Sequence, residues 1–140
     1  MPQNYDFENH LYQTYEQYKE KSLTHRRFKH SDITPLIKLL KNKNGFTVKI
    51  VGKSVEGRDL NLITIGKGKT KIFLWSQMHG DEPTATATLF DIFNFINAIE
   101  NKDFCDKLFE RVTLYFLPMV NPDGAERFKR RNFYDIDLNR

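Results

Sequence analysis

The sequence predicts an α/β fold, and three consecutive stretches carry that prediction. Lys71 to Ser76 is short, apolar and rich in β-branched or aromatic residues, which suits a buried central strand. Pro83 then fits a first helical position, and Leu89, Ile92, Phe93, Ile96 and Ile99 recur behind it at helical spacing, with Phe90 and Phe95 widening the apolar surface. Arg111 to Leu117 is a second strand candidate and runs into the turn Asn121-Pro122-Asp123-Gly124. Strand, helix and strand in this order imply a βαβ unit, and so a parallel pair within a sheet.

The earlier elements follow from the same periodicities. From about Phe7 to Leu23, Leu11, Tyr15 and Tyr18 recur at spacings of three and four among Glu and Lys, an amphipathic helix pattern. After the basic run His25-Arg26-Arg27-Phe28-Lys29-His30, Ser31-Asp32 before Pro35 resembles a helix start leading into Leu36-Ile37 and Leu39-Leu40. Asn44-Gly45 punctuates the chain there, dividing an N-terminal helical segment (1–45) from the remainder (46–140). Phe46 to Gly52 and Leu60 to Gly66 are β-rich runs joined by Val55-Glu56-Gly57-Arg58-Asp59, a hairpin pattern in which Gly57 supplies backbone freedom and Arg58 a structural charge. Gly66-Lys67-Gly68-Lys69-Thr70 resembles the tail of a phosphate-binding loop, but the required leading glycine falls on Ile63 and a strand follows instead of a helix, so it reads as a basic turn.

Composition narrows the function classes. With 140 residues, 39% hydrophobic and 14% aromatic, the chain suits one domain with a real core. Twenty-two basic against eighteen acidic residues leave a net charge of +4, short of the concentrated charge of a nucleic-acid binder. Cys105 is the only cysteine, which precludes an internal disulfide and leaves metal binding mainly to His and carboxylate. The first residues lack the charged and apolar regions of a signal peptide, and no apolar run approaches the roughly 20 residues of a membrane span. The expectation is a cytoplasmic protein with no membrane or nucleic-acid partner.

His79 and Glu82 lie where the first βαβ strand should end, the position at which open sheets place their ligands. Their chemistry suits two of the three protein ligands of a catalytic zinc, although a His three residues before a Glu is by itself a weak signal. Asn121-Pro122-Asp123-Gly124 alone is a plain turn, and Lys129-Arg130-Arg131 alone a solvated basic patch. The order of all these segments is more specific. His79-x-x-Glu82, Asn121-Pro122-Asp123-Gly124, Arg130-x-Asn132 and Asp137-Leu138-Asn139-Arg140 together resemble the M14-type zinc carboxypeptidases, from about Phe46 to Arg140.

The resemblance implies a mixed, largely parallel sheet with helices on both faces, here the N-terminal half of such a domain. It implies one zinc ion with His79 and Glu82 as ligands, Arg130 polarising the scissile carbonyl and stabilising its oxyanion, and Asn139 with Arg140 holding a free C-terminal carboxylate. Arg131 is the neighbouring alternative to Arg130, which is preferred because it precedes Asn132 by two positions. Asp81 stands where the digestive branch of the family has an Arg, so that branch's substrate contact does not transfer; His-Gly-Asp-Glu is closer to bacterial carboxypeptidases and N-acyl amino acid deacylases. The family's third zinc ligand and glutamate base lie downstream of the Asn-Arg pair, and His10, His25 and His30 suit surface or helix-packing roles rather than replacing them.

The expected substrate is therefore a peptide or acyl amino acid with a free carboxylate. The alternatives are a deacylase of the related branch and a non-catalytic remnant that binds carboxylate termini. On its own the chain is expected to be inactive, and marginally stable or prone to aggregate through an uncovered sheet edge.

Overall fold

The computed structural model describes residues 7–43 and 45–140. Residues 1–6 and Asn44, half of the Asn44-Gly45 punctuation, lie outside them. The elements run α1 (Phe7–Tyr18), α2 (His30–Leu40), β1 (Thr47–Lys53), β2 (Asp59–Gly66), β3 (Thr70–Trp75), α3 (Thr84–Asn97), a 3₁₀ turn (Ile99–Asn101), α4 (Lys102–Arg111), β4 (Val112–Leu117) and α5 (Pro122–Glu126). The four strands form one mixed sheet in the order β1-β2-β4-β3. β1 and β2 are the expected antiparallel hairpin, β2 runs antiparallel to β4, and β3 lies parallel to β4 as the βαβ pattern requires. Among the described residues no helix is long and apolar enough to cross a membrane.

The core forms where the hydrophobic stripes meet. Register places Ile63 opposite Phe116 and Ile65 opposite Leu114, so their side chains share one sheet face. Onto that face α3 lays Leu89, Phe90 and Phe93 while α2 brings Ile33, Ile37 and Leu40, all buried. Phe93 is the hub: Phe46, Phe90 and Phe116 each meet its ring edge-on, at centroid distances of 5.8, 5.5 and 5.0 Å. Truncating such a ring to alanine costs about 3–5 kcal/mol. Because α2 contributes to this cluster, residues 30–40 and the sheet share a core.

Several elements differ from the sequence expectation. α1 ends at Tyr18 rather than Leu23, because the Glu20 amide donates to Asp91 of α3 at 2.7 Å and the Glu20 carboxylate accepts from the Ser22 amide and hydroxyl. Those bonds draw the backbone out of the helix. α3 also stops early, at Asn97, and Ile99 falls in the 3₁₀ turn at 81% exposure rather than in the apolar stripe. α4 has no counterpart in the sequence reading, since its apolar positions Phe104, Cys105, Leu108 and Phe109 are interleaved with charge.

β3 is the largest difference. Expected as a buried central strand, it is an edge strand of the sheet, with Ile72, Phe73 and Trp75 each about half exposed and the rings of Phe73 and Trp75 stacked. Among the described residues only β4 pairs with it. Its apolar sequence is that of a covered strand, while its position here has one free edge.

Candidate metal and carboxylate site

Parallel pairing brings the C-terminal ends of β3 and β4 to one level, with Trp75 opposite Leu117. The two following loops are then knitted together by backbone hydrogen bonds: the Val120 amide donates to Ser76 and the Asn121 amide to Gln77, each at 3.0 Å. One loop carries His79 and Glu82. The other opens into α5, the Asn-Pro-Asp-Gly segment, which is a short helix rather than a plain turn.

Asn121 caps that helix by accepting from the Gly124 amide at 2.9 Å and, through its Nδ2, donates to the Arg130 carbonyl at 3.3 Å. The loops touch through glycines. A Cβ on Gly80 would overlap the Gly124 carbonyl carbon and the Ala125 nitrogen, so only glycine allows this approach. The Gly80 amide donates to the same Arg130 carbonyl.

Beneath this contact Asp123 is buried and locks α5 to the hairpin turn. It accepts from Ser54 Oγ at 2.7 Å, from the Glu56 amide at 3.2 Å and from Arg58 Nη1 at 2.6 Å. Burial pushes its carboxyl up, but these three donors outweigh it and hold the group below the ordinary aspartate value. Asp123 thus ties down an Arg, and Arg58 has the structural role expected of it. Glu56, held low by Arg127 and Arg58, extends the clamp across the surface.

The site residues converge above α5. His79 is buried; its Nδ1 lies 3.0 Å from Glu82 Oε2, and its Nε2 lies 3.1 Å from Asp137 Oδ1. Arg130 closes the ring, donating from Nη1 to Glu82 Oε1 at 2.9 Å and from Nε to Asp137 Oδ2 at 3.0 Å. The contact with Glu82, then that with Asp137, raises the His79 pKa above the ordinary value against the opposing effect of burial. Asp137 is lowered to about 2 by the Asn139 amide first, then by Arg130 and His79, against burial. Glu82 is lowered chiefly by His79, and Arg130 is raised chiefly by Asp137. Asp81 adds negative charge beside Arg130 and has one buried oxygen, Oδ1, without a hydrogen-bond partner.

Of the five residues singled out from sequence, His79, Glu82 and Arg130 are brought into direct contact. Arg131 turns away, its Nη1 donating to the Asp135 carbonyl at 2.7 Å. Asn139 and Arg140 lie alongside rather than within the cluster: both backbone amides bond Asp137, and the Arg140 side chain is 82% exposed with its Nε 3.8 Å from the Asp137 carboxylate. Asp137 is the functional candidate missed from sequence. Its signal was present, a carboxylate opening the Asp137-Leu138-Asn139-Arg140 segment, but nothing local pointed to His79, 58 positions earlier.

The donor set suits half of a zinc centre. Both imidazole nitrogens face carboxylates, Asp137 at Nε2 and Glu82 at Nδ1, which favours a proton on each; a metal held between Nδ1 and Glu82 would take the place of the Nδ1 proton, with Asp137 keeping the one on Nε2. Among the described residues no group of three His, Cys, Asp or Glu side chains forms a complete metal-binding cluster.

A family model described as zinc carboxypeptidase matches residues 33–140, beginning within α2. Carboxypeptidase SOL1 of Arabidopsis thaliana is 36% identical over 97 residues, covering 64% of this chain and 20% of that protein. Carboxypeptidase B of Astacus astacus is 36% identical over 81 residues, covering 56% and 26%. Among solved structures, a metallo-carboxypeptidase from Burkholderia cenocepacia superposes with a TM-score of 0.71 at 24% identity, covering 80% of this chain and 32% of that one, and so shares the fold. The chain thus spans between a fifth and a third of the length of these relatives. With more than half of its residues matched to one family model, and with that family's fold, the chain belongs to the zinc carboxypeptidase (M14) family of metallopeptidase hydrolases.

Proposed function

We propose that the protein to which this chain belongs is a zinc-dependent metallocarboxypeptidase that hydrolyses the peptide bond next to a free C-terminal carboxylate. The observation that carries the reading is the convergence of His79 Nδ1 and Glu82 Oε2, with Asp137 on the far side of the imidazole and Arg130 beside both carboxylates. His79 and Glu82 would hold the zinc. Bound there, zinc supplies Lewis-acid polarisation of a carbonyl and a lowered pKa for water.

The chain's own residues divide the remaining work. Asp137 keeps the proton on His79 Nε2 and thereby presents Nδ1. Arg130 is a cation whose guanidinium sits next to Glu82, where it can stabilise a developing oxyanion by about 3 kcal/mol. Asn139 and the exposed Arg140 would take the substrate carboxylate, Arg140 through its two-pronged guanidinium. A third ligand and a general base would be needed to complete the mechanism.

The test is a substrate panel on the full-length protein: peptides with free C-termini, their C-terminal amides, and N-acyl amino acids. Hydrolysis of the free peptides but not the amides, abolished by chelation and by Arg130→Ala, is the expected result. Preference for acyl amino acids would replace this reading with the deacylase. Peptide binding without zinc or turnover would replace it with a carboxylate-binding remnant.

A further inference from the structure

Gln77 is an unusual residue for its place. It follows β3, is 4% exposed, and has a backbone φ of +49°, in the left-handed region that glycine adopts freely and a long side chain does not. Strain of this kind persists only where surrounding contacts over-determine it.

The contacts are all present. Gln77 Nε2 donates to the Gly80 carbonyl at 3.0 Å, and Oε1 accepts from Thr86 Oγ1 at 2.9 Å. A carbonyl only accepts, so Gly80 fixes which end of the amide faces the loop and leaves Oε1 for the Thr86 hydroxyl. Thr86 is fully buried in the first turns of α3 and also meets Ser76 Oγ and the Pro118 carbonyl. The Gln77 carbonyl accepts from the Asn121 amide. One residue therefore joins the His79 loop, α3 and the exit of β4. Glutamate would set an acceptor against the Gly80 carbonyl, and an apolar side chain would leave that carbonyl without its donor, while Thr86 keeps Ser76 and the Pro118 carbonyl as partners.

We infer that Gln77 is a positioning residue: its amide holds the Gly80 carbonyl against α3 and so sets the path of residues 78–82, which aims His79 and Glu82. The metal-directed part of this inference rests on the function proposed above; the geometric part does not.

The test replaces Gln77 with Gly in the full chain. Glycine accepts the left-handed backbone without strain but also removes buried volume and frees the backbone, so Gln77→Met, which keeps the volume without the amide, is measured beside it and should accelerate the same two amides. Hydrogen exchange is followed at the Gly80 and Glu82 amides, which bond Arg130 and His79, and at amides of β2 and β4 as reference; zinc affinity is titrated in parallel. Q77G is expected to speed exchange at Gly80 and Glu82 at least about tenfold with the strands unchanged, and to weaken zinc about 10- to 100-fold, the range for residues that orient metal ligands. Thr86→Val should produce a smaller effect confined to the same two amides.

Exchange at Gly80 and Glu82 equal to wild type, or acceleration by one common factor in loop and strands, overturns the inference. If the wild-type chain binds no zinc, the failure lies with the proposed function, and the exchange contrast still decides the role of Gln77.

Discussion

The two halves of the candidate site are built to different standards. The half that carries His79 is buried from Ser76 through Gly80 apart from the half-buried Met78, with Glu82 at its exposed rim; it is spanned by side-chain hydrogen bonds from Gln77 and Thr86, and seated glycine-on-glycine against α5. The half that carries Asn139 and Arg140 is a turn from Asn132 to Arg140, held by Asn132 accepting from the Tyr134 and Ile136 amides, with Phe133, Tyr134, Ile136 and Leu138 exposed. Within that turn, among the described residues, Asp137 is the one that reaches His79, while Arg130, just before the turn, reaches Glu82. The contrast has a physical reading. A metal pair must be set before the ion arrives, or the ion spends its affinity ordering the ligands. A carboxylate clamp on a long, exposed Arg can close on its substrate instead.

The largest effect expected to break this contrast is Gly80→Ala. Its Cβ would meet the backbone of α5 at Gly124 and Ala125 and the Lys129 carbonyl, with no flexible neighbour to yield, so unfolding free energy in urea should fall by about 3 kcal/mol or more and zinc binding should be lost. Asp123→Asn comes next. It leaves Arg58 without its buried partner, and urea unfolding at neutral pH should show a loss of about 3 kcal/mol.

The same residue predicts a pH dependence whose sign is fixed. Asp123 has a folded pKa below its unfolded value of about 3.9. Its stabilising contribution is therefore fully present above that value and is lost as pH falls through the folded pKa. Acid titration of wild type and Asp123→Asn by circular dichroism should show the two stabilities converging below about pH 4.

Smaller but sharper is Asp137→Asn. The amide preserves shape but no longer fixes the His79 tautomer, so zinc affinity should fall about 10- to 100-fold. Arg140→Ala should do least to the fold, within about 0.5 kcal/mol, because its side chain is solvated. Its cost should appear as a raised KM for peptides with a free C-terminus, with kcat little changed. A large stability loss in Arg140→Ala, or none in Gly80→Ala, would erase the distinction between a preset and an adaptable half.

The sequence revealed the hairpin, the βαβ unit and the order of motifs because each rests on local periodicity or turn chemistry. Leu89 and Phe93 announced the buried face of α3 in this way. It did not reveal the end of α1, because the Glu20 to Asp91 bond links positions 71 apart. The exposure of β3 was hidden for a related reason: Ile72, Phe73 and Trp75 have the composition of a covered strand, and composition does not say which neighbours flank it. In the site, His79, Glu82 and Arg130 were legible as motif members, whereas Asp137 and Gln77 act through contacts that only the fold creates.

The most direct test of the central claim is a zinc titration of the full-length protein by calorimetry, comparing wild type with His79→Ala and Glu82→Gln at matched folded content. The account predicts one zinc per chain in wild type and a loss of at least about 100-fold in affinity in each variant. Unchanged stoichiometry and affinity in both variants would contradict it, placing any zinc elsewhere and reducing the His79 cluster to a structural ion network.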